Sequence, residues 1–164
     1  MKRLFVLRHG KAEPGNGMAD ASRSLTERGM DDAFKLGLWT KESRKTGDPL
    51  WVSPATRTRQ TSQRLCEAWS ESEASIHLQH DAYLASDRAW LSWIGLWPND
   101  TDQGWIVGHN PGVSELVERL TDQPVWLPTC GLAEVELHID AWEEAFAGTG
   151  RLRGLFTPKS MLLA

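Results

Sequence analysis

Cysteine is scarce in this sequence of 164 residues: Cys66 and Cys130 are the whole complement. Two thiols cannot build a disulfide framework or a four-cysteine zinc site. Proline, at 8 residues, and glycine, at 14, are not abundant, while 40% of the chain is hydrophobic and 24% charged. A packed core is expected and extensive disorder is excluded. No apolar run approaches the ~20 residues that a membrane-spanning helix requires. The first strand candidate begins almost at Met1, with no basic leader and apolar secretion segment before it. The expectation is a reduced, cytoplasmic compartment and no membrane partner. The length suits one domain over residues 1–164, since independent domains usually run about 100–200 residues. No internal repeat or long linker divides it.

The 18 Lys and Arg against 22 Asp and Glu leave a net charge of −4, which disfavours a nucleic-acid coat. That balance hides an asymmetry. Residues 1–64 carry 13 basic and 7 acidic side chains, and residues 65–164 carry 5 and 15, so the first part is +6 and the second −10. Either the two parts form opposed faces, or the basic part supplies an anion site and the acidic part a solvated surface.

Residues 2–7 are dominated by strand formers and run directly into Arg8-His9-Gly10, after which polar residues and glycines occupy 11–24. Leu25, Phe34, Leu36, Leu38 and Trp39, set among charges, suit an amphipathic helix, with Ser24 or Thr26 as its cap. Gly47-Asp48-Pro49 stops it. Leu50-Trp51-Val52 is a short strand ending at Ser53-Pro54, and 56–70 reads as a helix. Ile76-His77-Leu78 is a third strand candidate, and 87–97 places Trp90, Leu91, Trp93, Ile94 and Trp97 on one helical stripe. Gly104 to Val107 is a strand, followed by the corner Gly108-His109-Asn110-Pro111-Gly112 and a helix carrying Val113, Leu116, Val117 and Leu120. Residues 133–139 alternate like a half-buried strand, with 152–156 pairing beside it. Strand, polar corner and helix recur three times, which predicts an α/β domain: a three-layer α/β/α sandwich on a mostly parallel sheet.

Ligands of open α/β sheets collect beyond the carboxyl ends of the strands. The corners there contribute Arg8, His9, Arg57 and His109. Two guanidiniums can grip the oxygens of a phosphoryl group, and an imidazole can attack phosphorus or donate a hydrogen bond. A surface Arg–His pair is the plainer reading of Arg8-His9 by itself.

Three segments, Leu7-Arg8-His9-Gly10, Ser53-Pro54-Ala55-Thr56-Arg57-Thr58-Arg59-Gln60-Thr61 and Val107-Gly108-His109-Asn110-Pro111, resemble in order the motifs of the histidine phosphatase, or phosphoglycerate mutase-like, superfamily. Asp20-Ala21-Ser22-Arg23-Ser24-Leu25-Thr26-Glu27-Arg28-Gly29 and the short length resemble its bacterial phosphohistidine phosphatase branch of the SixA type. The resemblance covers nearly the whole chain, with 67–103 anchored loosely. It implies a phosphoglycerate mutase-like fold in which His9 is transiently phosphorylated, Arg8 and Arg57 bind phosphate oxygens, and His109 completes the pocket. The expected substrate is a phosphorylated protein such as a histidine-containing phosphotransfer domain. The alternatives are a small phosphate ester, or a phosphate-responsive binding protein without turnover. No metal or other cofactor is expected, because neither a P-loop nor a magnesium-type carboxylate cluster is evident.

The leaving-group acid is harder to place: Asp81 is the leading candidate, with Asp87 and Glu13 behind it, and each also suits a solvated surface. Arg23 and Asn110 are candidates for the phosphate or substrate rim, and Asn110 equally shapes its turn. Arg59, two residues from Arg57, faces another side of the helix. His77, His80 and Asp81 form an incomplete metal set. Cys66 suits core packing and Cys130 lacks a paired histidine. Most tryptophans, Trp39 among them, are expected in the core, while Trp126 and Trp142 suit exposure or a dimer interface. Lys159 faces either solvent or the anion site.

Overall fold

The computed structural model describes residues 1–161. Six strands, β1 (Lys2–Arg8), β2 (Leu50–Val52), β3 (His77–Leu78), β4 (Gln103–Gly108), β5 (Leu132–Leu137) and β6 (Gly150–Phe156), form one sheet in the order β3-β2-β4-β1-β5-β6. β1 to β4 are mutually parallel, and β5 runs against both of its neighbours, β1 and β6. The sheet is therefore mostly parallel with one reversed strand.

The alternation along β1 explains the three layers. Leu4 and Val6 point into a cluster with Trp90 and Ile94 of α3 (Asp87–Ile94) and Val113, Leu116 and Val117 of α4 (Gly112–Thr121). Phe5 and Leu7 point the other way, toward Ala33 and Leu36 of α1 (Glu27–Thr40) and Leu65, Cys66 and Trp69 of α2 (Thr56–Trp69). Burial on both faces is the reason this strand reads as a continuous apolar run. Each fully buried large apolar side chain stabilises the fold by roughly 1.5–3 kcal/mol. A last short helix, α5 (Pro158–Met161), follows β6.

Thr26 caps α1 by accepting from the Gly29 amide at 2.9 Å, one of the two caps proposed. The buried face of α1 differs from the expected apolar stripe. It consists of Gly29, Ala33, Leu36, Gly37 and Thr40, leaving Leu38 and Trp39 exposed. The cause is close packing of α1 on α2, where a Cβ at Gly37 would stand 2.5 Å from the Ala68 methyl. Small residues bring the helices together and push the large ones outward. Trp142 is also corrected: it is fully buried and its indole N–H donates to the Thr101 carbonyl, whereas Trp126 is exposed. The α3 helix stops at Ile94, short of the expected 97, yet Trp97 still reaches the core. Cys66 and Cys130 are both buried, and burial pushes the Cys66 thiol up to about 11, which leaves it protonated and inert. No described helix is long and apolar enough to cross a membrane.

Candidate active site

The three corners that follow β1, β2 and β4 meet at one edge of the sheet. Arg8 pairs with Gly108 across β1 and β4, and Val52 with Val107 across β2 and β4. The ladder continues beyond the strands: the His9 amide donates to the Gly108 carbonyl and the Ser53 amide to the Val107 carbonyl. Backbone bonds thus hold His9, Ser53 and His109 in a shared frame before any side chain is considered.

Nδ1 of His9 lies 2.7 Å from the Gly10 carbonyl oxygen. A carbonyl can only accept, so Nδ1 carries the proton and the lone pair of the neutral ring is on Nε2. Nε–H of Arg57 donates to that Nε2 at 3.3 Å. Burial, reinforced by Arg57, Arg8 and Arg23 and opposed by the Gly10 carbonyl, pushes the His9 pKa down to about 4. The ring is consequently neutral at pH 7, the state in which an imidazole can act as a nucleophile. Its corner is tied to α2 through Thr61, whose hydroxyl accepts from the Gly10 amide and donates to the Arg57 carbonyl.

Arg8 donates through Nη1 to the Leu127 carbonyl at 3.1 Å, and its buried Nε has no partner among the described residues. Asn110 does not present its side chain to a rim: Nδ2 donates to the same Leu127 carbonyl and Oδ1 accepts from the Ser114 hydroxyl. Because the carboxamide is satisfied on both sides, it braces the segment that holds Arg8.

His109 stands with its ring centroid 5.4 Å from that of His9, and its Nε2 is 2.7 Å from the Ser53 hydroxyl. If Ser53 is the donor, the proton of neutral His109 is on Nδ1, a buried atom without a protein partner among the described residues. Burial first, then the neighbouring His9 and Arg57, push this histidine down to about 3. Arg57 is 4% exposed and makes two further bonds, from Nη1 to the Asp20 carbonyl at 2.8 Å and from Nη2 to Asp20 Oδ2 at 3.1 Å.

Asp20 and Tyr83 are the residues that sequence reasoning missed. The Asp20 carboxylate takes Arg57 on Oδ2, Arg23 on Oδ1 at 2.9 Å, and the Tyr83 hydroxyl also on Oδ2. The Tyr83 hydrogen bond first, then Arg23 and Arg57, hold its carboxyl well below the usual carboxylate range, so it is ionised. The Tyr83 ring stands edge-on to His109 with centroids 5.6 Å apart. Its loop is seated on α4, where Gly112 leaves room: a Cβ there would lie 1.9 Å from the Ala85 carbonyl oxygen. Asp20 does occur in one of the quoted segments, three residues before Arg23, and Tyr83 is the chain's single tyrosine. Neither had a periodic or spacing signal linking it to the other.

The remaining candidates lie apart. Asp81 is exposed on a 3-10 turn and has no hydrogen bond or ion pair to the pocket among the described residues; Tyr83, two residues on, is the side chain that turns inward. Asp87 is paired with Arg119 at 2.6 Å. Glu13 is exposed; its carbonyl accepts from Arg23 Nε, and its carboxylate has no hydrogen bond or ion pair among the described residues. Arg59, His77, His80 and Lys159 are exposed, and Lys159 lines a groove beside α1 with Glu13 and Trp39. Among the described residues no group of three or more His, Cys, Asp or Glu is placed to hold a metal ion.

Comparison with known proteins agrees with this geometry. Residues 4–109 match the family model of the histidine phosphatase superfamily (branch 1). The chain belongs to that superfamily, and it is a phosphatase with a phosphoglycerate mutase-like fold. It is 28% identical to an uncharacterized chloroplastic protein of Arabidopsis thaliana, over 98% of this chain and 80% of the relative. An uncharacterized protein of Mycobacterium tuberculosis is 26% identical, over 93% of this chain and 100% of the relative. Among solved structures, the protein histidine phosphatase SixA in complex with tungstate superposes with a TM-score of 0.82 at 22% identity, covering 97% and 99% of the two chains. A chain assigned as phosphohistidine phosphatase SixA from Agrobacterium tumefaciens gives 0.77 at 26% identity, covering 96% and 98%.

Proposed function

We propose that the protein hydrolyses phosphohistidine on a protein substrate through a transient phospho-His9. The observation that carries this reading is the state of the pocket's carboxylate. Asp20 is held ionised by Tyr83, Arg23 and Arg57, while Asp81 and Glu13 stand apart, so among the described residues no carboxylic acid is poised to protonate a leaving group. An alkyl phosphate ester needs that proton, because an alkoxide is a poor leaving group. A phosphohistidine ring protonated on its other nitrogen departs as neutral imidazole and needs none.

In the first step the Nε2 lone pair of His9 attacks phosphorus as the substrate's P–N bond breaks, and the electron pair of that bond leaves with the imidazole. Arg57 and Arg8 offset the charge on the equatorial oxygens, with His109 beside them. In the second step water attacks phosphorus, the bond to Nε2 breaks, and its electron pair returns to His9. Phosphate leaves with one oxygen from water, and the surplus proton passes to solvent. Tungstate, the ligand of the SixA structure, is an oxyanion of phosphate-like shape, and a similar fold that takes such an anion supports an anion-binding role for this pocket.

The test is incubation with a phosphohistidine protein and a panel of phosphate esters, for wild type and His9→Ala. The expected result is rapid dephosphorylation of the protein, slow turnover of the esters, and no turnover by the variant. Ester hydrolysis with greater catalytic efficiency than phosphohistidine hydrolysis would overturn the assignment.

A further inference from the structure

In a guanidinium, Nε–H and Nη2–H lie side by side and form the fork that grips two oxygens of one anion. In Arg57 the two halves of that fork are divided. Nε points at His9 Nε2, where the phosphoryl group would be carried, and Nη2 is held by Asp20 Oδ2 at 3.1 Å. A phosphoryl group bound to His9 and gripped by the fork meets the Asp20 carboxylate on the same donor. Building on the assignment of Arg57 to phosphate under the proposed function, we infer that Asp20 is a resident anion standing in the phosphoryl site, and that substrate binds by exchanging with it.

The surroundings of Asp20 suit an exchange. It begins a three-residue 3-10 turn with no buried residue, and its side chain is 47% exposed, so it can swing into water. Its departure frees three donors together: Nη2 of Arg57, Nη1 of Arg23 and the Tyr83 hydroxyl. The Arg57 Nη1 bond to the Asp20 carbonyl uses the backbone and need not break. Such an exchange also selects its ligand. A dianionic phosphoryl group gains more from three converging donors than the singly charged carboxylate it displaces, whereas a monoanion gains little. Asp20 thereby sets a threshold that a phosphoryl dianion clears and a singly charged ligand does not.

The test is calorimetric binding of inorganic phosphate, with formate as the monoanion, to wild type, Asp20→Asn and Arg57→Ala. Removal of the competing charge should tighten phosphate binding by about tenfold, the range of ordinary coupling between two ligands. Formate displaces the same carboxylate and should gain by a similar factor, while its binding to wild type stays weak. A second reading needs no variant: the Asp20 carboxyl, followed by carbon NMR in wild type, should titrate in the ordinary range near ~4 when sulfate, which stays a dianion there, is saturating. Unchanged or weaker phosphate binding by Asp20→Asn, or an Asp20 titration indifferent to sulfate, would overturn the exchange. If Arg57→Ala binds phosphate as well as wild type, the assignment of Arg57 itself fails and the exchange with it. Weakened binding in Arg57→Ala beside an unaltered Asp20→Asn sinks the exchange alone.

Discussion

Nε of Arg57 lies 3.3 Å from Nε2 of His9, and the same guanidinium reaches across to Asp20 with both of its terminal nitrogens. One buried cation therefore connects His9, after β1, to the loop between β1 and α1. Arg57→Ala should slow phosphorylation of His9 by about 10²–10³-fold, the usual cost of losing one donor to a transition-state oxyanion. Arg57→Lys should recover only part of the loss, since an ammonium restores the charge but not the fork. Single-turnover kinetics with a phosphohistidine protein would measure both.

Both pocket histidines resist protonation. Their ring protons, followed by NMR, should titrate near pH 4 for His9 and near pH 3 for His109 rather than near 6.5. Because both folded pKa values are depressed, the unfolded chain binds protons first as pH falls below about 6.5. Stability should therefore decline on acidification and be complete above that pH. At pH 5 the loss is about 2 kcal/mol per histidine. Urea unfolding at pH 7 and pH 5 should show a smaller acid loss in His109→Gln than in wild type. Equal losses would contradict the assignment.

Ser53→Ala removes the only hydrogen-bonding partner of His109 Nε2 among the described residues. Leaving that buried nitrogen unpaired should destabilise the fold by about 1–3 kcal/mol. Turnover should fall by about tenfold, reflecting ~1.4 kcal/mol of lost positioning. Ser53→Thr should restore most of the turnover if the hydroxyl is the essential group.

Gly112→Ala would place a methyl 1.9 Å from the Ala85 carbonyl oxygen, which belongs to the loop that carries Tyr83. The overlap should destabilise the protein by ~1–3 kcal/mol. It should also weaken phosphate binding, as the shifted loop withdraws the Tyr83 hydroxyl from the donors that phosphate would use. A thermal melt together with phosphate calorimetry would separate the two effects.

Asp81→Ala should leave phosphohistidine turnover within about twofold of wild type, as expected of an exposed surface substitution. A large loss would return a leaving-group acid to the scheme.

The layered fold was legible because strand, corner and helix recur three times, and because the buried centre of β1, Leu4 to Leu7, declares itself as an unbroken apolar run. Arg8, His9, Arg57 and His109 were legible for a related reason. Each lies at or shortly beyond the carboxyl end of a parallel strand, where the topology leaves side chains free to converge. Asp20 and Tyr83 were not, since they come from two loops 63 residues apart that meet only through a hydrogen bond. Loop geometry has no period to read. The exposure of Trp39 was hidden in a similar way: hydrophobicity placed it inward, whereas the close contact of Gly37 with Ala68 decided which face of α1 lies against α2.

The central claim is that the neutral Nε2 of His9 receives the phosphoryl group. Rapid quenching of the enzyme with a phosphohistidine protein, followed by mass spectrometry at neutral to alkaline pH, tests it directly. A phosphoryl group on His9 that forms and decays within the turnover time, and is absent in His9→Ala, is the predicted result. Turnover at an undiminished rate in His9→Ala, or a modification on another residue, would contradict it.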